Sequence, residues 1–79
     1  MTPKQEALLK ANLGLVVAMA ENYAGRGVPL LDLVHAGNLG LIQAVERFIP
    51  EREYEFESFA VFWVRHRIQE KFEDSDGLS

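Results

Sequence analysis

Eight Lys and Arg against twelve Asp and Glu leave this 79-residue chain at a formal charge of −4, with no cysteine anywhere in it. The length permits one small domain with a thin margin of stability, and the missing thiols exclude disulfide staples, thiolate nucleophiles and thiolate zinc sites. The acidity runs against a domain that binds nucleic acid by itself, since such domains commonly have a pI above about 9, whereas this one has a pI near 5.0.

Thr2, Pro3 and Gln5 read as a helix entry: a capping hydroxyl, a proline in the first turn and a glutamine three residues after the cap. A first helix is expected over residues 3–23, with Leu8, Leu9, Leu13, Val16, Val17 and Ala20 as one apolar stripe. Gly25 and Gly27 break the pattern and turn the chain. Pro29 opens a second helix, expected over residues 29–48. Its core arc is Leu30, Val34, Gly37, Leu41, Ala44, Val45 and Phe48, and its outer arc is Asp32, His35, Ala36, Leu39, Gln43 and Glu46. Gly37 and Gly40 each weaken that helix by roughly 0.5–1 kcal/mol relative to alanine, which points to close helix packing. Residues 49–55 alternate like a strand, but one strand has nothing to pair with, so a loop is expected there.

A third helix is expected over residues 56–72, and it carries two apolar arcs. Ala60, Val61, Val64 and Ile68 form an aliphatic arc for the core; Phe59, Phe62 and Trp63 point elsewhere, with His66 and Gln69 continuing their line. Three helices cannot bury both arcs, so the aromatics form a partly open patch of the kind that marks an interaction site; packing of Phe59 and Trp63 beneath the 49–55 loop is the alternative. The fold expected is all-α, a compact three-helix domain over residues 1–72 followed by an acidic tail, 73–79.

Enzyme chemistry finds little purchase. His35 and His66 stand on different helices with no thiolate partner, Ser58 lacks a His/Asp signature, and no phosphate-cradling glycine loop occurs. The glutamates at 51, 53, 55 and 57 lack the glycine and Asp/Asn oxygens of a calcium loop. No catalytic residue, metal or cofactor is therefore expected. The longest mainly apolar stretch, residues 13–20, is far below the roughly 20 residues needed to cross a bilayer, and with no secretory leader the cytoplasm is the expected location.

The motifs NLGLVV at 12–17, YAGRGVPLLDLV at 23–34 and GNLGLIQAVERF at 37–48, continued by Phe56, Phe59-Ala60 and Phe62-Trp63-Val64-Arg65, resemble region 2 of bacterial sigma factors of the primary type, in order and at matching spacing over about residues 8–70. The resemblance implies a helical subunit or fragment for transcription initiation. Its second helix would dock on the clamp helices of the largest subunit of core RNA polymerase. Its third would take part in minus-ten recognition and promoter melting, holding non-template single-stranded DNA only together with core polymerase.

Position by position, the resemblance makes Asp32, His35, Ala36, Asn38, Leu39 and Gln43 the polymerase-binding set, with His35 and Ala36 standing where the family usually has Gln and Glu. Phe48, Arg52 and Phe59 match a pocket for a flipped adenine, and flipping needs such a pocket to offset unstacking. Phe62 and Trp63 match the aromatic pair at the upstream edge of the melted region; Arg65, His66 and Gln69 match positions facing duplex DNA there, the last two in place of Gln and Thr. Glu53, Glu55 and Glu57 replace Gly, Lys and Ser. Four glutamates against one arginine over residues 51–57 leave a local charge of −3 that repels phosphate.

If the chain is complete it lacks region 3 and region 4, and a second chain supplying region 4 is then among the expected partners. The retained aromatics favour an initiation subunit. The acidic loop favours a relative that does not bind DNA and regulates transcription through protein contacts. An unrelated small helical DNA-binding or scaffold domain stands apart by binding without polymerase.

Overall fold

Thr2 does cap the first helix. Its hydroxyl accepts from the Gln5 backbone at 3.1 Å while the Gln5 side chain accepts from the Thr2 backbone at 2.8 Å, the reciprocal arrangement that satisfies two otherwise orphaned donors. The computed structural model of the chain describes residues 1–49 and 55–77, and helix is the only regular element among them: α1 (Pro3–Ala11), α2 (Leu13–Glu21), α3 (Leu30–Arg47) and α4 (Phe56–Gly77).

The all-α, three-helix arrangement holds, with its first helix divided at Asn12 into α1 and α2. Asn12 has φ −114° and ψ 9°. Its side-chain amide donates to the Leu8 carbonyl at 2.8 Å, a local bond of the kind that competes with helix continuation. The break resets the helical phase, and the single stripe expected over residues 3–23 does not form. Val16 and Ala20 are fully buried, whereas Leu13 and Val17 are each 43% exposed. Gly25 and Gly27 take φ of +81° and +99°, a region that side chains other than glycine's rarely enter, and this turn reverses the chain into α3.

Helix α3 ends as Phe48 becomes extended, with φ −75° and ψ 142°. Ile49 precedes Pro50 in the sequence, and a following proline disfavours helical backbone. The loop expected over 49–55 falls largely on residues 50–54, outside the described residues. Helix α4 continues past Phe72 to Gly77. The stop expected at Phe72 does not occur, because no helix breaker precedes Gly77.

Helices α3 and α4 make the principal interface, with α2 packed on both and α1 against α2 and α3. Leu33, Leu41, Val45, Val64, Ile68 and Val16 are the largest fully buried side chains. Both α3 glycines are contact points. A Cβ at Gly37 would stand 2.7 Å from Val16 Cγ1 and 3.3 Å from Val64 Cγ1, and one at Gly40 would stand 2.5 Å from the Trp63 carbonyl oxygen. The helix-weakening glycines thus let three helices meet.

The buried arc of α3 is turned from the one the periodicity suggested. Leu33 and Ala36 are inside, at 0% and 3% exposure, and Leu30 is outside at 42%. Ala36, placed by the sequence on the outer arc, is therefore a core residue. The physical reason is that Gly37, Gly40 and Ala44 are the small residues that admit α4, and they centre the buried face on themselves rather than on the larger Leu30 and Val34. Among the described residues no helix is long and apolar enough to cross a membrane.

Candidate functional site

Helix α4 sorts its side chains as its sequence demands. Ala60, Val64 and Ile68 are fully buried and Val61 partly so, which turns Phe62 out to 65% exposure and leaves Phe59 and Trp63 half-buried on the flank. Across α4 and the end of α3 runs a continuous aromatic series. Phe56 meets Phe48 at 5.0 Å between centroids, Phe48 meets Phe59 at 5.7 Å, Phe59 meets Trp63 at 6.2 Å and Trp63 meets Phe62 at 6.0 Å. His66 closes the series, stacked on Phe62 at 6.5 Å with 6° between planes. Edge-to-face and offset contacts at these spacings are favourable, so the rings hold one another in place while one ring and the imidazole stay open to solvent.

Two concavities flank the series. One, of about 140 Å³, lies between Arg47, Phe48, Ile49, Glu55 and Phe59. The other, of about 430 Å³, lies between the end of α2 and the middle of α4, where Arg26, Arg65, Tyr23 and Gln69 line it. In this second groove Gln69 donates to the Tyr23 hydroxyl at 3.3 Å, and the Arg26 guanidinium sits 5.2 Å over the Tyr23 ring. Two guanidinium groups on one groove reverse locally the sign of a chain that is acidic overall. Arg47 places its guanidinium 4.7 Å over the Trp63 ring, a cation–π contact that covers part of its face.

Of the residues assigned from the sequence to DNA, Phe48, Phe59, Phe62, Trp63 and His66 are brought into one series, and Arg65 and Gln69 line the neighbouring groove. Arg52 lies outside the described residues. Tyr23, Arg26 and Arg47 were missed, because they come from the first turn and the end of α3 and reach the α4 surface only through tertiary packing.

Of the set assigned to a protein partner, Asp32 and His35 are exposed, Leu39 is 43% exposed, and Asn38 and Gln43 are half-buried. Ala36 is buried among the core residues. Leu31, 78% exposed, was missed, although its four-residue steps to His35 and Leu39 place it on the same face. The burial of Ala36 decides what a carboxylate there would do. Ala36→Glu should lower the melting temperature, since a buried unpaired carboxylate is costly, and a thermal melt by circular dichroism checks it.

The family model for sigma-70 region 2 matches residues 8–77. Among curated proteins, the RNA polymerase sigma factor RpoS of Coxiella burnetii is 48% identical over 65 residues, which cover 82% of this chain and 18% of the relative. The chain thus spans under a fifth of that relative's length. The motifs at 12–17, 23–34 and 37–48 and the aromatic run of α4 all lie within the family match, and the resemblance read from them is borne out: the chain belongs to the sigma-70 region 2 family.

Proposed function

We propose that this chain acts in transcription initiation as a sigma-type subunit, docking on core RNA polymerase through the outer face of α3 and handling non-template minus-ten DNA along α4. The observation that carries this reading is the pre-formed aromatic series from Phe48 to His66, open at Phe62 and bordered by Arg26 and Arg65 on one side and the Phe48–Phe59 concavity on the other. Stacked bases are worth roughly 1–3 kcal/mol each, and arginines beside a stacking platform serve the backbone. The clamp helices of the polymerase's largest subunit are the partner proposed for Leu31, Asp32, His35, Leu39 and Gln43, an apolar and polar mixture suited to a helical surface. Promoter-strand separation and adenine capture are assigned to Phe48, Arg52, Phe59, Phe62 and Trp63.

A pull-down on core polymerase followed by binding to a forked minus-ten DNA, with and without core, tests the reading. Retention on core and core-dependent DNA binding support it. Submicromolar DNA binding at physiological salt without polymerase sinks it. Leu39→Asp puts a charge into the proposed docking face and should weaken core binding about tenfold or more with an unchanged melting temperature, as Leu39 lies outside the core. Unchanged core affinity rules out this face.

A second reading has its own support. Glu55 and Glu57 are exposed at the start of α4, and Glu55 lines the Phe48–Phe59 concavity, where carboxylates repel a phosphate backbone. In this reading the chain occupies the polymerase without opening promoters. Core binding with no gain in forked-DNA affinity distinguishes it.

A further inference from the structure

One side chain ties the two proposed faces together. Arg67 Nε donates to Gln43 Oε1 at 2.7 Å, from α4 to α3, and Arg67 Nη1 reaches Glu70 Oε1 at 3.5 Å. The other carboxylate oxygen of Glu70 is 3.6 Å from His66 Nε2. Gln43 belongs to the set assigned to the polymerase and His66 to the set assigned to DNA, so Arg67 stands between them.

The arrangement is ill suited to a structural staple. The α3–α4 seam is already closed by apolar residues and the two glycine contacts, and Arg67 sits at its rim with its side chain 36% exposed. An ion pair so exposed contributes little stability. What the contacts do achieve is to engage a planar, five-donor group whose geometry matches phosphate, on the same helix as the aromatic series.

We propose that Arg67 is a phosphate-binding residue held in reserve: Gln43 and Glu70 retain its guanidinium at the α3–α4 rim, and a partner that engages Gln43 releases it to the DNA backbone. The inference rests on the two-face reading above and adds to it a side chain that carries the coupling. It supplies a residue-level cause for the dependence of DNA binding on polymerase that the resemblance implies, because the same glutamine serves one or the other, and such a shared contact is a coupling between sites that acts in both directions.

The test uses the 79-residue chain and a labelled forked minus-ten DNA at low salt, where weak phosphate binding is measurable. Gln43→Leu leaves the net charge unchanged, yet it should tighten DNA binding by the free chain several-fold, and adding Arg67→Met should erase that gain. On core polymerase, wild type and Gln43→Leu should hold DNA equally per bound complex. There Arg67→Met should lower DNA affinity and reduce the log–log salt slope by about one, a change that loss of a structural staple would not produce. Circular dichroism melts accompany every variant, and Gln43→Ala takes the place of Gln43→Leu should the leucine variant fail to fold. Unchanged free-chain affinity in the folded Gln43 variants, or a gain that survives Arg67→Met, overturns the proposal while the two-face reading stands. Failure of the wild-type polymerase complex to hold forked DNA overturns that reading and this proposal with it.

Discussion

Replacing Gly40 by alanine is expected to lower the melting temperature by about 10 °C, whereas the same replacement at Gly14 should raise it by a few degrees. Both glycines are helical, Gly14 in the first turn of α2 and Gly40 in the middle of α3, and alanine is the better helix former by up to roughly 1 kcal/mol, so the opposite sign expected at Gly40 comes from its surroundings. A Cβ at Gly14 meets nothing within 4 Å. At Gly40 it would stand 2.5 Å from the Trp63 carbonyl oxygen and 2.9 Å from Val64 Cα, and backbone atoms have no alternative rotamer to adopt. Helices α3 and α4 must part. Overpacking typically costs about 1–3 kcal/mol, and more where nothing yields, against a total stability of only about 5 kcal/mol for a domain this small. Thermal unfolding of the two variants side by side checks the expectation, and an unshifted Gly40→Ala melt would mean that the helices do not seat this closely. Because Gly40 abuts Trp63, the variant should also disturb the aromatic series, and its DNA phenotype should exceed that of substitutions remote from the seam.

Phe59→Ala is expected to reduce promoter opening on core polymerase by roughly 5- to 150-fold, the equivalent of one lost stack of about 1–3 kcal/mol, while core affinity stays as it was. Phe59 is the link between the Phe48 end of the series and Trp63, 5.7 Å from one ring and 6.2 Å from the other, and it walls the smaller concavity. Its removal takes away a stacking surface and loosens two neighbours. The measurement is strand opening on a fluorescent minus-ten template with saturating polymerase, paired with a thermal melt. Trp63→Ala is the stricter comparison: truncating a fully buried tryptophan costs about 3–5 kcal/mol of stability and half-buried Trp63 some part of that, so its loss of opening counts only where the melt shows a folded protein. Absence of opening with the wild-type chain and with Phe59→Ala alike, joined to opening gained when Glu53, Glu55 and Glu57 are changed together to Gly, Lys and Ser, identifies the regulator reading.

Much of this architecture was legible in the sequence. The capping box at Thr2 and Gln5, the glycine turn at 25 and 27, and the two helices on either side of residues 49–55 are local features, governed by hydroxyl capping, backbone freedom and 3.6-residue periodicity, and each stands where local rules put it. So does the split of α4 into an aliphatic core arc and an aromatic flank, since Ala60, Val64 and Ile68 at four-residue steps leave Phe62 only the outside. The ordered motifs from Asn12 to Arg65 were enough to name the family.

What the sequence left open has one physical character: it depends on which neighbour a helix face meets. Asn12 divides the first helix because its side chain finds the Leu8 carbonyl, and the reset phase exposes Leu13 and Val17. The burial of α3 centres on Gly37, Gly40 and Ala44 because α4 approaches closest where side chains are smallest, and that moves Ala36 inside and Leu30 out. Arg26, Arg47 and Tyr23 join the α4 surface from elements distant in the chain, and Arg67 meets Gln43 across 24 residues of sequence. Periodicity records how apolar residues repeat along one helix, whereas packing is decided by the fit of two surfaces, and only the tertiary structure brings both surfaces together.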